Sequence, residues 1–198
     1  MAAYYPAFLD LRGRRCLVVG GGTIAERKVT GLLEAGARVR VVSPTLTPAL
    51  SALARTSAVE HRPRTFRRHD ARGCALVVAA TGLVAVDDVV AAAARHARAL
   101  VNVVDRPGAC DFILPSVLRR GDLQIAVSTG GRSPALAREI RRHLEAEIGP
   151  EYGALVARVG RGRLRLRARR LDPATRMKAA DRLAVSALAA HLGVRTPS

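Results

Sequence analysis

The first hundred residues alternate between short apolar runs and longer amphipathic stretches. The runs at Arg15–Val19 and Arg38–Val42 predict strands, and the apolar positions between them repeat with a helical period over Ile24–Ala35. The runs at Ala75–Ala80 and Leu100–Val104 consist of small and branched apolar residues, which is typical of strands buried on both faces. Strands that alternate with helices favour a parallel, doubly wound sheet, so we predict an α/β fold for this part.

Three weaker patterns complete this part of the chain. Thr47 is a candidate cap for a short helix that reaches Arg55, with Pro48 at its first position. A strand is predicted over Val59–Arg62, and helical periodicity covers Val86–Ala97.

The pattern changes after Pro107. Two strands are predicted at Phe112–Pro115 and Leu123–Ser128, and no crossover helix separates them. The parallel arrangement therefore ends before this stretch.

The rest of the chain has helical periodicity. Ser133 is a plausible cap for a helix from about Ala135 to Glu147, and Gly149-Pro150 ends it. Two further helical segments follow from Glu151, with a break near Asp172-Pro173.

The strand at Arg15–Val19 runs directly into three glycines, and the helical pattern starts at once. In a dinucleotide-binding turn, Gly20 would make the tight turn and Gly22 would let the backbone approach a pyrophosphate. Ala25 is small enough for the helix to pack against the strand. The helix N-terminus would direct its N–H groups at the phosphates. The alternative is a glycine-rich corner without a ligand.

The second strand ends in Ser43, Pro44 and Thr45, and not in the acidic residue that commonly holds a ribose hydroxyl. The residues therefore leave the choice between NAD and NADP open. Arg38 and Arg40 alternate along this strand, a pattern more typical of a solvated edge than of a phosphate site.

Two further stretches carry candidate chemistry. Asp105 falls just past a buried strand, where open α/β sheets bind ligands, and its carboxylate is a candidate general base or cation ligand. The alternative is a carboxylate that caps a turn before Pro107. Hydroxyls and glycines precede a helix start over Ser128–Pro134, which makes either an anion-binding corner or an ordinary capped helix.

The chain of 198 residues has a formal net charge of +17, and Lys28 and Lys178 are its only lysines among 33 basic residues. Such a balance predicts an acidic partner, namely nucleic acid, an anionic surface or a polycarboxylate; a general arginine bias is the alternative. The C-terminal third is especially rich in arginine, at Arg158, Arg161, Arg163, Arg165, Arg167, Arg169 and Arg170.

Other classes of function find no support in the sequence. No apolar run is as long as a membrane span, and the N-terminus lacks the layout of a signal peptide. Cys16, Cys74 and Cys110 form no C-x-x-C pair, and the five histidines are isolated, so no metal site is predicted. We expect a cytoplasmic protein with no membrane contact.

Taken in order, four motifs resemble the family of precorrin-2 dehydrogenases, the dehydrogenase/ferrochelatase part of siroheme synthase. Any one of them is modest, but the set and its spacing are specific. They are Gly20-Gly21-Gly22-x-x-Ala25-x-Arg27-Lys28, Asn102-Val103-Val104-Asp105-x-Pro107, Phe112-Ile113-x-Pro115 and Ser128-Thr129-Gly130-Gly131-x-Ser133-Pro134-x-x-Ala137-Arg138.

The resemblance implies an activity and a domain plan. Family members oxidise precorrin-2 to sirohydrochlorin with NAD as hydride acceptor, and some insert ferrous iron or cobalt. The resemblance also implies an NAD-binding Rossmann domain over 1–113, a dimerisation region over 114–149 and a helical domain over 150–198. It further implies that the protein is a homodimer. The substrate is an acidic tetrapyrrole, which gives the arginines a role because guanidinium groups bind carboxylates in bidentate fashion.

The resemblance also implies roles for individual residues. Asp105 matches the family's catalytic aspartate, and no dedicated metal ligand is evident. The expected cofactor contacts are Gly20, Gly21, Gly22, Thr23, Ile24, Ala25, Ser43, Pro44, Thr45, Thr81, Asn102 and Val103. The expected substrate contacts are Ser128, Thr129, Gly130, Gly131 and Arg138.

Because the chain ends at Ser198, we expect a stand-alone module without the methyltransferase domain of fused siroheme synthases. The alternative to a dehydrogenase is an NAD-binding regulator, or a nucleic-acid binder that uses Arg158–Arg170. Nucleic acid is the weaker hypothesis, because that stretch has no aromatic residue for base stacking and no helix-turn-helix pair.

Overall fold

The structure is a computed structural model that describes residues 4–194. The chain divides into two compact units, with the boundary between Ile113 and Leu114.

The first unit is built on a five-stranded parallel sheet in the order β3-β2-β1-β4-β5. The strands are β1 (Arg15–Val19), β2 (Arg38–Val42), β3 (Glu60–Arg62), β4 (Leu76–Ala79) and β5 (Leu100–Val103). The strand order reverses between β1 and β4, which creates a crevice at the carboxyl ends of these two strands. The predicted doubly wound parallel sheet is confirmed.

Helices cover both faces of this sheet. The first two, α1 (Thr23–Glu34) and α2 (Pro48–Arg55), share a core with one face, and α3 (Val84–His96) shares a core with the other. Strand β1 shows the division, because Val18 belongs to the first core and Leu17 to the second. These elements match the predicted ones to within two residues, and the predicted cap is present, since Leu50 N donates to Thr47 Oγ1 at 3.3 Å.

The second unit contains an antiparallel hairpin and three helices. The hairpin strands are β6 (Ser116–Arg120) and β7 (Leu123–Val127), and the helices are α4 (Pro134–Glu147), α5 (Glu151–Ala168) and α6 (Pro173–Leu192). Helix α4 packs on the hairpin, where Leu118 and Ala137 are buried. No helix between residues 4 and 194 is long and apolar enough to cross a membrane.

One predicted strand is wrong. Phe112–Pro115 is irregular, and the partner of β7 is Ser116–Arg120. Asn102 Nδ2 donates to Phe112 O at 3.0 Å, which commits that carbonyl to a side chain and not to a strand partner. Pro115 has no N–H to donate to a ladder, so the strand begins after it.

Candidate functional site

The glycine turn after β1 is enclosed on two sides. Gly20 has φ +122°, and a Cβ at this position would overlap the carbonyl of Ala80, which follows β4. A Cβ at Gly21 would overlap the carbonyl of Thr45, which follows β2. Only glycine fits these two positions, so the sequence requirement comes from close backbone packing.

Gly22 is different, because a Cβ there would have no heavy atom within 4 Å. It is exposed and forms the N-cap of α1, and no side chain caps this helix end. The first N–H groups of α1 therefore have no side-chain cap, which is the arrangement that binds a pyrophosphate. Thr23 and Ile24 are exposed on this first turn, whereas Ala25 is fully buried against the sheet.

The loop after β2 forms one wall of the turn. Thr47 N donates to Gly21 O at 2.9 Å, and Thr47 Oγ1 donates to Glu26 Oε2 at 2.7 Å. Ser43 is buried, while Pro44 and Thr45 are exposed beside the glycines. The cofactor residues predicted at the ends of β1 and β2 are thus brought together.

The loop after β4 forms the opposite wall. Thr81 donates to Asp87 Oδ1 from Oγ1 at 2.7 Å and from the backbone N at 3.2 Å. Asp87 is only 4% exposed and lies in the first turn of α3, which has no side-chain N-cap. Its carboxylate therefore fixes the position of Thr81 next to the crevice.

The end of β5 is fastened to the chain that follows it. Asn102 is buried and its amide nitrogen lies 3.5 Å from Cys110 Sγ, in addition to its bond with Phe112. Val103 N donates to Cys110 Sγ at 3.1 Å. The amide nitrogen of Asn102 is therefore engaged within the protein and fixes the path of β5, and Asn102 and Val103 stay predicted cofactor contacts.

Asp105 is exposed two residues beyond β5 and has a left-handed backbone conformation, with φ +57°. Only Ser57 and Arg98 share this feature among the non-glycine residues described, and both follow helix ends. Arg106 N donates to Val103 O at 3.3 Å and closes the turn. A strained residue persists where its surroundings determine its conformation, and such residues cluster at functional sites.

Lys28 brings a positive charge towards this carboxylate. It is half-buried on α1, one turn beyond Ala25. Burial lowers the pKa of Lys28, and neighbouring Arg27 lowers it further, whereas the charges of Asp105 and Cys110 oppose this shift. The crevice thus has a carboxylate and an ammonium group within electrostatic range of each other.

The residues predicted to bind substrate lie in the second unit, in the loop before α4 and, for Arg138, on α4 itself. Gly130 N donates to Ser128 Oγ at 3.1 Å, Ser133 N donates to Thr129 Oγ1 at 3.0 Å, and Leu136 N donates to Ser133 Oγ at 3.2 Å. The hydroxyl oxygens therefore accept local bonds, as in a capped helix start.

The two glycines of this loop, Gly130 and Gly131, adopt φ +64° and +82°. Arg138 is exposed on α4. The hydroxyls, the glycines and Arg138 thus stay predicted substrate contacts.

Sequence reasoning gave no role to Glu26, Asp87 or Lys28. Glu26 and Asp87 each hold a loop at the crevice, and Lys28 lies near Asp105. Two signals pointed to Lys28, because it belongs to the glycine-turn motif and is a rare lysine in an arginine-rich chain. Within the described part of the chain, no group of three or more His, Cys, Asp and Glu side chains could hold a metal ion.

The parallel sheet, the glycine turn and the uncapped helix define a Rossmann-type dinucleotide-binding protein. Residues 7–116 match a family profile described as putative NAD(P)-binding, and residues 120–147 match one described as sirohaem biosynthesis protein central. The chain belongs to the precorrin-2 dehydrogenase family, whose members include the N-terminal module of siroheme synthase. Its first unit is an NAD(P)-binding domain.

Individual relatives agree with this assignment. The chain is 46% identical over 180 residues to a siroheme synthase of Thioalkalivibrio sulfidiphilus, covering 91% of this chain and 37% of the relative. It is 48% identical over 153 residues to the siroheme synthase of Nitrosomonas eutropha, covering 77% of this chain and 32% of the relative. The chain thus spans about a third of the length of these relatives.

A solved structure resembles the chain over most of its length. It is described as SirC, precorrin-2 dehydrogenase, and superimposes with a TM-score of 0.75 at 27% identity. The match covers 91% of this chain and 89% of the other.

Proposed function

We propose that the protein oxidises precorrin-2 to sirohydrochlorin with NAD as hydride acceptor, in the synthesis of siroheme or cobalamin. The observation that carries this proposal is the exposed carboxylate of Asp105, held in a left-handed conformation just past β5. The similar structure described as a precorrin-2 dehydrogenase supports the choice of substrate.

The reaction removes one hydride and one proton from the tetrapyrrole. A bound nicotinamide supplies the hydride acceptor. Asp105 accepts the proton, because it is exposed and follows a strand whose carboxyl end borders the crevice. Lys28 places a compensating positive charge near this carboxylate. The glycine turn and the first N–H groups of α1 hold the pyrophosphate, and the loops of Thr45 and Thr81 enclose it.

The proposed preference for NAD rests on the cations near β2 and β3. A ribose 2′-phosphate needs a free cation beside the end of β2. Arg62 donates to Glu60 at 2.6 Å. Arg64 donates to both carboxylate oxygens of Asp70, at 2.7 and 2.8 Å. Because both guanidinium groups are engaged, a phosphate would have to displace a carboxylate, so we expect a higher kcat/KM with NAD than with NADP.

The protein acts as a homodimer in this proposal. The exposed apolar side chains of Leu136 and Ile140 on α4 support it, because apolar groups on the outer face of a helix favour association. Sedimentation velocity tests the dimer, and a monomer at micromolar concentration would contradict it.

Metal insertion is a second activity of the proposal, with ferrous iron or cobalt as a substrate. Asp105 is the candidate acceptor for the pyrrole protons, because its carboxylate is exposed. Sirohydrochlorin and ferrous iron are mixed with and without the protein, and equal rates would exclude catalysis.

The central experiment supplies precorrin-2 and NAD and follows the absorbance of NADH. We expect turnover by the wild type and at least about a hundredfold loss in Asp105→Asn, because proton transfer to a positioned base contributes that much. Asparagine tolerates a positive φ, so this variant keeps the fold and its NAD affinity. Asp122→Asn, in the exposed hairpin turn, is the matched control and should be fully active. A folded wild-type protein that forms no NADH would refute the proposal.

A further inference from the structure

The second unit contains an open groove between α5 and α6 that none of the predicted site residues lines. Its volume is about 440 Å³. Both helices contribute to it, and its lining consists of Gly162, Arg165, Leu166, Arg169, Ala179, Arg182, Leu183 and Ser186.

The floor of the groove is apolar and is set by a close approach of the two helices. A Cβ at Gly162 would lie 2.5 Å from Leu183 Cδ2, so glycine lets α6 pack directly on the backbone of α5. Leu166 and Ala179 extend this floor, and both are half-buried. The lining contains no aromatic ring on which a nucleobase would stack.

The rim of the groove is cationic. Arg165 lies on α5, Arg169 is the residue directly after that helix, and Arg182 lies on α6. Within residues 4–194, the guanidinium groups of these three arginines form no hydrogen bond and no ion pair. The chain has no acidic residue from Tyr152 to Leu171, and the carboxylate of Asp172, the N-cap of α6, accepts from Thr175 N. Asp181 on α6 is exposed and does not line the groove.

Three like charges around one cavity repel one another, and folding alone gains nothing from this arrangement. An anion would turn the repulsion into attraction, and guanidinium groups pair with carboxylates in bidentate fashion. An apolar floor beneath a guanidinium rim fits a ligand that has an apolar body and carboxylates at its edge.

We propose that this groove binds the carboxylates and one edge of the tetrapyrrole, with Arg165, Arg169 and Arg182 as the carboxylate ligands. The proposal rests on the proposed function for the identity of the polycarboxylate. It singles out three arginines from a chain in which arginine is abundant everywhere.

The test uses uroporphyrin, a fluorescent octacarboxylate porphyrin, as the probe. Its affinity is measured by fluorescence titration for the wild type, for the groove variant R165Q/R169Q/R182Q and for the control variant R161Q/R163Q/R167Q. The two variants lose the same charge, and the control arginines do not line the groove. We expect the groove variant to bind at least about tenfold more weakly and the control to stay within about twofold.

Equal weakening in both variants would overturn the proposal, because it would show that only the overall charge matters. Absence of porphyrin binding to the wild type would also overturn it. Displacement of the porphyrin by a DNA duplex at physiological salt would also overturn it, because the groove would then bind nucleic acid. Circular dichroism checks the fold of each variant, and all six arginines are exposed.

The NADH assay separates this inference from the proposed function. If porphyrin binding depends on the groove arginines but the protein forms no NADH, the proposed groove ligand is supported and the proposed dehydrogenase activity is refuted. If the groove variant turns over normally with an unchanged KM for precorrin-2, the proposed dehydrogenase activity is supported and the proposed role of the groove is refuted.

Discussion

Asp87 accepts two hydrogen bonds from Thr81 on one carboxylate oxygen, and this contact joins the first turn of α3 to the loop after β4. We predict that Asp87→Ala lowers the free energy of unfolding by about 1 kcal/mol, because it removes the acceptor of two half-buried Thr81 donors. The same variant should bind NAD more weakly, since Thr81 loses its support. Urea denaturation and calorimetric titration measure the two effects.

The neighbouring Asp88 provides the control for this prediction. Its carboxylate is half exposed and pairs with Arg106 at 2.6 Å. Because exposed ion pairs contribute little, Asp88→Ala should change stability by less than about 0.5 kcal/mol. Equal effects of the two substitutions would show that the Thr81 contact has no special importance.

Gly21 and Gly22 should respond differently to alanine. A methyl group at Gly21 overlaps the Thr45 carbonyl, so Gly21→Ala should destabilise the fold itself. A methyl group at Gly22 meets no protein atom, so Gly22→Ala should lower the melting temperature only slightly, through the weaker preference for alanine at an N-cap. We expect Gly22→Ala to lose at least about tenfold in dinucleotide affinity, because the methyl group blocks the approach of the pyrophosphate. Normal NAD binding by this variant would contradict the assigned path of the phosphates.

The ion pair of Asp70 with Arg64 predicts a pH dependence of stability. Burial would raise the pKa of Asp70, but the hydrogen bonds from Arg64 and Arg67 N, with the charge of Arg64, outweigh it and lower that pKa below its ordinary value. A lowered folded-state pKa stabilises the protein above the unfolded value, and this stabilisation is lost as the pH falls through the folded value. The wild type should therefore lose stability below about pH 4.

Asp70→Asn removes this titration. We expect the variant to be about 2 kcal/mol less stable at pH 7, because hydrogen bonds to charged groups contribute about that much. Its stability should also depend less on pH below 4. Urea midpoints at pH 7 and pH 3 measure both effects, and parallel losses in the two proteins would contradict the assignment.

The three thiols should differ in reactivity. Burial raises the pKa of Cys16 to about 11, and it also raises the pKa of Cys74. Because the thiolate is the reactive form, neither should react with a disulfide reagent at pH 8 in the folded protein. Cys110 is half-buried, so we expect one thiol to react before unfolding and three after it. Early reaction of Cys16, detected by peptide mapping, would contradict its position in the core.

The sheet of the first unit could be predicted because each strand has a sequence pattern within its own few residues. Strands buried on both faces, such as β4, are continuous apolar runs bounded by turns, and this pattern has few alternatives. The glycine turn could be predicted for a similar reason. A Cβ at Gly20 or Gly21 would overlap a backbone carbonyl, so no other residue fits at these two positions.

The hairpin was harder to predict because its register depends on a turn and on tertiary bonds. Phe112–Pro115 is more apolar than Ser116–Arg120, yet the short connection through Gly121 and Asp122 makes the second segment the neighbour of β7. Gly121 has φ +57°, as such tight connections require. Asp87 was missed for a related reason, since its partner Thr81 is determined by the folded loop and not by a sequence pattern.

The N-cap of helix α1 is Gly22, which has no side chain to satisfy the first N–H groups of the helix. A dinucleotide bound at this helix end would supply acceptors for these groups. A ligand that binds only the folded chain adds RT ln(1 + [L]/Kd) to its stability, or about 2.7 kcal/mol at a hundred times Kd. A higher dinucleotide concentration therefore lowers the fraction of molecules that are unfolded and open to proteolysis at any moment.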